Sequence, residues 1–392
     1  MRRLATIAFA GTLLAAAALP ASSAGAATPR APRIRVQVVA SGLNSPKKLT
    51  FHRGRLYVVE SGVGGAPGAA NCVTGPSIGG PGLTRFCEGQ TGSVAVLTPT
   101  GPRRLVHLPS VIEADNREVS GPVALAFGRN GPALAVQDIL VDAHGRNHLP
   151  GRAGRLFGTL VEASGRIVPL ARFAAAHPQS KATVGGTPGE TTWDSDPYAV
   201  AAYRGGFVVA DAAANSLVDV PATGHLRLLA RFPTLAETVP AGVVGPVAVT
   251  VHAQAVPTAV AVGPDGALYV GELRGVPSAP GTAFVYRVVP GHRPTVWASG
   301  LTAITAIAFD HRGRLLATEL NVGGLLAPAT VPGALVRISC DGKTTTTLPV
   351  PGLFDPTGVA VGPEGAVYVT NRGTSAGSSA TPGQVLRVTG LG

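Results

Sequence analysis

Val256–Glu272 reads VPTAVAVGPDGALYVGE, and Asp355–Asn371 reads DPTGVAVGPEGAVYVTN. Each copy runs small and β-branched residues into a Gly-Pro-acid-Gly turn and leaves through a second short apolar run, the pattern of a β-hairpin. Four further segments share the form: SPKKLTFHRGRLYVVE from Ser45, GPVALAFGRNGPALAVQD from Gly121, DPYAVAAYRGGFVVAD from Asp196 and AITAIAFDHRGRLLATE from Ala303. Each opens on Pro, or once Ile, with an aliphatic residue three positions later. Repetition of one supersecondary unit along a chain points to a repeat architecture.

A second hairpin follows in most copies. Ala283–Trp297 reads AFVYRVVPGHRPTVW, Gly333–Leu348 reads GALVRISCDGKTTTTL, and Gly383–Thr389 supplies only the first half, GQVLRVT. Arg287, Arg337 and Arg387 occupy matching places in the three. A unit thus carries four strands, A to D, and six such units around an axis make an all-β, six-bladed β-propeller. The last unit stops after strand C. Its missing strand is expected at the other end of the chain, where Val38–Leu43 reads VVASGL beside VWASGL at Val296–Leu301 in strand D of the fourth unit. Such an N-terminal strand, starting near Ile34, closes the ring and removes an open sheet edge.

Composition agrees with many short strands. The chain has 52 Gly and 34 Pro, with 14% charged and 5% aromatic residues, so turn formers interrupt any long helical period. Met1-Arg2-Arg3, an Ala/Leu-rich run and Ala24-Gly25-Ala26 read as a secretory signal peptide over residues 1–26. A single propeller domain is expected over 30–392, with no linker inside it. The apolar run is too short for a comfortable membrane span, so an exported, extracellular or cell-wall-associated monomer without a transmembrane segment is expected. The formal charge of +11 rests on dispersed Arg residues not interleaved with aromatics, which excludes a nucleic-acid footprint. Cys72 and Cys87 are close enough to bridge in an oxidising compartment; Cys340 is left over and is expected to be a buried or unreactive thiol.

In a propeller the A–B and C–D turns lie on one face, and the B–C and D–A connections on the other. The first set is tight here. The second set carries the long insertions 61–91, 174–195 and 234–255, so function is expected on that loop-bearing face. Six residues close the B strands toward it: Glu60, Asp138, Asp211, Glu272, Glu319 and Asn371. This ring could end strands by accepting loop amides, or hold an amine or a divalent cation such as calcium near the channel; no other cofactor is indicated. The residues after the repeat-initial position, Lys47, Val123, Tyr198, Thr258, Thr305 and Thr357, are no divalent ligand set, which weighs against a metal-dependent lactonase mechanism. Glu190, Trp193, Asp194 and Asp196 form a second candidate cluster that overhangs the same face. Gly373–Gly377 matches G-x-S-x-G, but no helix pattern follows to expose a nucleophile.

The ordered set YVVESGVGG, the loop ending CEGQTGSV, DPYAVAA with VVADAAANSL, VPTAVAVGPDGALYVGEL with FVYRVVPG, and DPTGVAVGPEGAVYVTNRGTSAG with GQVLRV resembles the ScyD/ScyE family of exported proteins. The resemblance spans nearly the whole mature chain. It implies a six-bladed propeller related to NHL repeats and to the SMP-30 fold, and it carries over no catalytic residue. Two functions stand open: a binding or scaffold protein for a small molecule, peptide or glycan, and an extracellular hydrolase or lyase with its site at the channel mouth.

Overall fold

A computed structural model describes residues 34–391 other than 67, 69, 77–81, 116, 139–141, 143, 181–190, 193, 242–245 and 375–381. The leader expected at 1–26 lies outside these residues. Six antiparallel sheets surround one axis, each beginning with one of the six repeats. Blade 3 is a simple example: Pro197–Tyr203, Gly206–Asp211, Ser216–Val220 and Arg227–Arg231 pair in that order. Blade 4 (Pro257–Val262, Leu268–Glu272, Ala283–Val288, Thr295–Leu301) and blade 5 (Ile304–Phe309, Leu315–Glu319, Ala334–Ile338, Thr345–Leu348) repeat it. Blade 6 consists of Val359–Val361, Val367–Asn371 and Gly383–Thr389, with Arg35–Leu43 outermost. That outer pair runs antiparallel, Arg35 opposite Thr389 and Leu43 opposite Gly383.

Middle strands of a blade are covered on both faces by neighbouring blades, so they read as continuous apolar runs and not as alternation. All six residues of Gly206–Asp211 are buried. Leu160, Leu217, Leu268, Leu301 and Leu315 are each at most 1% exposed and lie in second, third or fourth strands. Each such side chain stabilises the ring by about 1.5–3 kcal/mol. First strands need small residues where blades converge. A Cβ on Gly358 would stand 2.4 Å from the Lys47 carbonyl oxygen, so blade 6 can lie against blade 1 only with glycine there.

Blade 1 departs from the common size. Its strands Leu83–Thr98 and Gly101–Glu113 run past Pro46–His52 and Arg55–Glu60, and the extension pairs with Cys72–Pro76 and Val119–Ser120. Cys72 faces Cys87 across this ladder, and the two form a disulfide. Blade 2 (Pro122–Gly128, Gly131–Val136, Thr159–Glu162, Ile167–Pro169) carries two short helices, Ala153–Leu156 and Leu170–Ala176, that no long sequence period announces. The insertion expected as a loop at 234–255 contains a hairpin, Leu235–Val239 paired with Val249–Ala253. Cys340 is exposed, contrary to a buried thiol, because it sits beside the Asp341-Gly342 turn with Sγ directed at the Arg312 carbonyl.

The residue before strand A takes a left-handed conformation in four blades: φ is 49° at Ser45, 52° at Val256, 44° at Ala303 and 42° at Asp355. This sharp reversal swings each D–A connection into the innermost strand. For β-branched Val256 the conformation is a genuine outlier.

Candidate functional site

The ring residues bond chiefly inside their own blades. Glu60 accepts both Nε and Nη2 of Arg104 at 2.9 and 2.8 Å, the Asn44 amide at 2.8 Å and the Ser93 hydroxyl. Asp211 accepts Ser195 Oγ at 2.6 Å and the amides of Asp196 and Ala214 at 2.7 and 3.0 Å. Glu319 accepts the Thr302 amide, and Asn371 the Phe354 amide, each at 2.8 Å. In blades 1, 3, 5 and 6 the strand B terminus thus anchors the connection that leads into strand A. Asp138 is buried against Gly158, whose lack of a Cβ leaves room for Oδ2.

Glu272 does something more. It accepts Arg274 Nη1 at 2.9 Å and the Phe284 amide at 3.0 Å, while Arg274 Nε donates to Glu237 on the inserted hairpin. Arg274 is fully buried. Burial pushes the Glu272 carboxyl up to about 8, against the opposing pull of Arg274. The second carboxylate of the guanidinium, Glu237, also accepts the Ala279 amide at 3.1 Å. This triad clamps the hairpin to blade 4.

At the centre of the loop-bearing face a different group converges. Successive strand residues point to opposite sides, so Lys47 and Lys48 of blade 1 separate. Both are buried, at 6% and 9% exposure. Lys48 Nζ crosses the axis, donating to the Thr305 carbonyl of blade 5 and, at 3.1 Å, to the Thr357 carbonyl of blade 6. It also lies 4.8 Å from the centroid of the Tyr198 ring of blade 3, a cation–π arrangement. Burial holds the Lys47 amine below the ordinary lysine range, opposed by the charges of Glu118, Asp196 and Asp355.

The acids respond in the opposite sense. Burial, then the neighbouring Asp211 charge, lifts the Asp196 carboxyl to about 7, although hydrogen bonds from the Gln137 side chain and the Asp138 amide lower it. Glu118 reaches solvent, yet protein surrounds it on most sides, and this desolvation raises its carboxyl while Lys47 pulls it down. Burial and the charges of Asp196 and Glu118 raise the Tyr198 phenol. Lys47, Glu118, Asp196 and Tyr198 therefore form one electrostatically coupled cluster, to which Lys48 is tied through the charges of Lys47 and Asp196. Its parts come from the connections and first strands of blades 1 to 3.

Of the overhanging candidates, Asp196 belongs to this coupled cluster and Asp194 is exposed beside it; Glu190 and Trp193 lie outside the described residues. Residues 375–377 of the G-x-S-x-G match also lie outside them, and Thr374 donates to Asp355 Oδ2 at 2.8 Å. Among the described residues no three His, Cys, Asp or Glu side chains gather as a metal-binding group. Lys47, Lys48 and Glu118 were missed as a site by reasoning on acidic strand ends. A signal was available: lysine is rare here, and two of the four lysines stand together on an innermost strand.

No family model matches the chain, and none of the curated proteins matches it. Similar solved structures include a streptogramin B lyase (14% identity, TM-score 0.46), covering 92% of this chain and 100% of that one. A virginiamycin B lyase from Staphylococcus aureus is similar at 11% identity and TM-score 0.45, covering 91% and 99%. A luciferin-regenerating enzyme follows at 12% identity and TM-score 0.42, covering 92% and 96%. Similarities of this order carry no argument about the chemistry of this cluster.

Proposed function

We propose that this chain is an exported binding protein whose loop-bearing face takes a small polar molecule, or the polar end of a peptide or glycan, at the cluster of Lys47, Glu118, Asp196 and Tyr198. The observation that carries the reading is the burial of Lys47 beside three carboxylates at the channel mouth. Desolvated charges cost several kcal/mol each, and the corresponding positions of the other blades hold Val, Tyr or Thr with no such cost. Perturbed titratable groups concentrated in a cleft mark a site on physical grounds. A cation flanked by carboxyls, one of them lifted to about 7, suits a ligand with both donors and acceptors.

Under this reading Glu60, Asp211, Glu319 and Asn371 are the frame, and Asp211 and Asn371 hold the connections that carry Asp196 and Asp355. The resemblance to the ScyD/ScyE family and the leader-like start support export, and the Cys72–Cys87 disulfide is compatible with it. The test is thermal stabilisation of the purified chain across small metabolites, cell-wall fragments and peptides. Any hit should bind at least tenfold more weakly to Lys47→Met and to Asp196→Asn. No hit, or hits indifferent to both substitutions, defeats the proposal.

One observation favours a second reading, an extracellular hydrolase or lyase at the same place. An Asp near 7 beside a lysine of lowered pKa can exchange protons at working pH. An Asp196→Asn chain that binds a substrate yet no longer turns it over would select this reading over simple binding.

A further inference from the structure

Blades 1 and 2 face one another across a cleft of about 470 Å³ whose lining, apart from Arg152 and Glu162, is apolar or aromatic. Tyr57 of blade 1 and Phe127 of blade 2 meet in it. Beside them lie Leu105 and Val106 of strand D in blade 1, which are 47% and 39% exposed. Neighbouring apolar side chains left in water around a concave surface mark a place where something binds.

The same chain shows what closes such a corner. Tyr57 stands three residues before Glu60, as Tyr269 stands three before Glu272, and Phe127 stands five after Pro122, as Phe309 stands five after Ile304. The two pairs meet alike, with ring centroids 4.9 and 5.0 Å apart. Between blades 4 and 5 the indole of Trp297 covers the pair, edge to face with Tyr269 at 4.9 Å. Trp297 is the extra residue of a bulge, since Val285 pairs with Ala298 and Tyr286 with Val296. In blade 1 Val94 pairs with Val106 and Ala95 with Arg104, so the matching extra residue is Leu105. An isobutyl group thus stands where the other junction has an indole, and the corner stays open.

The polar surroundings differ as well. In blades 4 and 6 the hydroxyl of the strand B tyrosine donates to the acid four residues earlier, Tyr269 to Asp265 at 3.3 Å and Tyr368 to Glu364 at 2.7 Å, with Arg287 and Arg387 opposite. Blade 1 holds Arg53 and Val96 at those places. Of the two charged groups lining the cleft, Glu162 is paired with Arg166 at 3.0 Å. Arg152 Nη1 has the His107 carbonyl, at 3.4 Å, as its partner among the described residues. The charge left to a ligand is therefore one guanidinium.

We propose that the cleft between blades 1 and 2 binds a planar aromatic carboxylate of about indole size, its ring on Tyr57 and Phe127 and its carboxylate on Arg152. The ring takes the place that Trp297 fills at the other junction, and aromatic contact supplies most of the affinity. The guanidinium fork matches a carboxylate and sets the sign of the ligand's charge. The volume is that of a compact small-molecule site. The cleft shares no residue with the cluster of Lys47, Glu118, Asp196 and Tyr198.

The test is calorimetric titration of the full chain with indole-3-acetate and, as its cationic counterpart, tryptamine. The acid should bind and the amine should bind more weakly. Arg152→Gln, at an exposed position, should weaken the acid about fivefold, the upper range for an exposed ion pair. Leu105→Trp, which gives blade 1 the side chain that closes the corner between blades 4 and 5, should abolish binding in a chain whose circular dichroism matches the parent; should that chain not fold, Arg152→Gln decides. Failure of indole-3-acetate to bind, equal or tighter binding of tryptamine, or undiminished affinity in Arg152→Gln or in folded Leu105→Trp overturns the proposal. These outcomes are independent of the loop-face reading, whose test uses substitutions at Lys47 and Asp196.

Discussion

Replacing Asp196 by Asn should change how the stability of the protein depends on pH. In the folded chain the Asp196 carboxyl is lifted from 3.8 to about 7, so between these values the folded state holds a proton that the unfolded state releases. Unfolding then liberates a proton, and stability falls as pH rises. The advantage is complete below the unfolded value and is lost as pH passes through about 7. At about 1.4 kcal/mol per unit, the gap corresponds to an effect on the order of 4 kcal/mol between pH 4 and pH 8. Asn keeps the carbonyl oxygen that accepts the Gln137 and Asp138 hydrogen bonds and removes only the charge. Urea unfolding of both proteins at steps across this range should show the variant gaining on the parent by most of that amount as pH rises. Curves that stay parallel throughout would refute the claim that Asp196 is desolvated in the folded state.

Other perturbations test the frame. Arg274→Met leaves Glu237 and Glu272 buried without their shared cation, and should cost about 3–5 kcal/mol in denaturant unfolding; proteolysis should become faster within 235–253, where the clamped hairpin lies. Replacing both Cys72 and Cys87 by Ala should lower stability by about 3 kcal/mol, since the bridge closes a loop with a sequence separation of 15. Val256→Asn, which better tolerates the left-handed φ of 52°, should raise the melting temperature by an amount equivalent to about 1 kcal/mol. If a divalent cation such as calcium does bind the ring of strand ends, a chelator should lower the melting temperature of the parent chain; an unchanged value removes the metal.

The fold was legible because a blade is a local object. Each hairpin declares itself through two short apolar runs and a Gly turn, and GPDG and GPEG need no distant partner to be read. The four strands of blades 3 to 5 follow from that grammar. What it conceals is content inside insertions: Leu235–Val239 and Val249–Ala253 form a hairpin, yet Pro240 and the polar alternation around it resemble loop. The helix Leu170–Ala176 is likewise too short to show a period.

The site was half legible for the same reason. The acids that end strand B are easy to find because they repeat, and repetition is what suits them to a shared structural task, as the amides of Asn44, Thr302 and Phe354 make plain. Chemistry concentrates where the repeat is broken. Lys47 stands where other blades hold Val, Tyr or Thr, Lys48 where they hold Ala or Gly, and Glu118 lies in a connection outside the repeat. That these residues meet Asp196 depends on the ring bringing blades 1 and 3 across one axis, which no local pattern states.

The pairing of Arg35 with Thr389 has a mechanical consequence. The start of the outermost strand and the end of its neighbour lie side by side at the same end of the ladder. Tension applied between these two points loads the rungs in series, from Arg35–Thr389 toward Leu43–Gly383, and peels them singly. A load along opposite ends would instead share itself among all of them. Blade 6 is thus a seam that opens like a zip under pulling, while heat or denaturant must dismantle the packed ring as a whole.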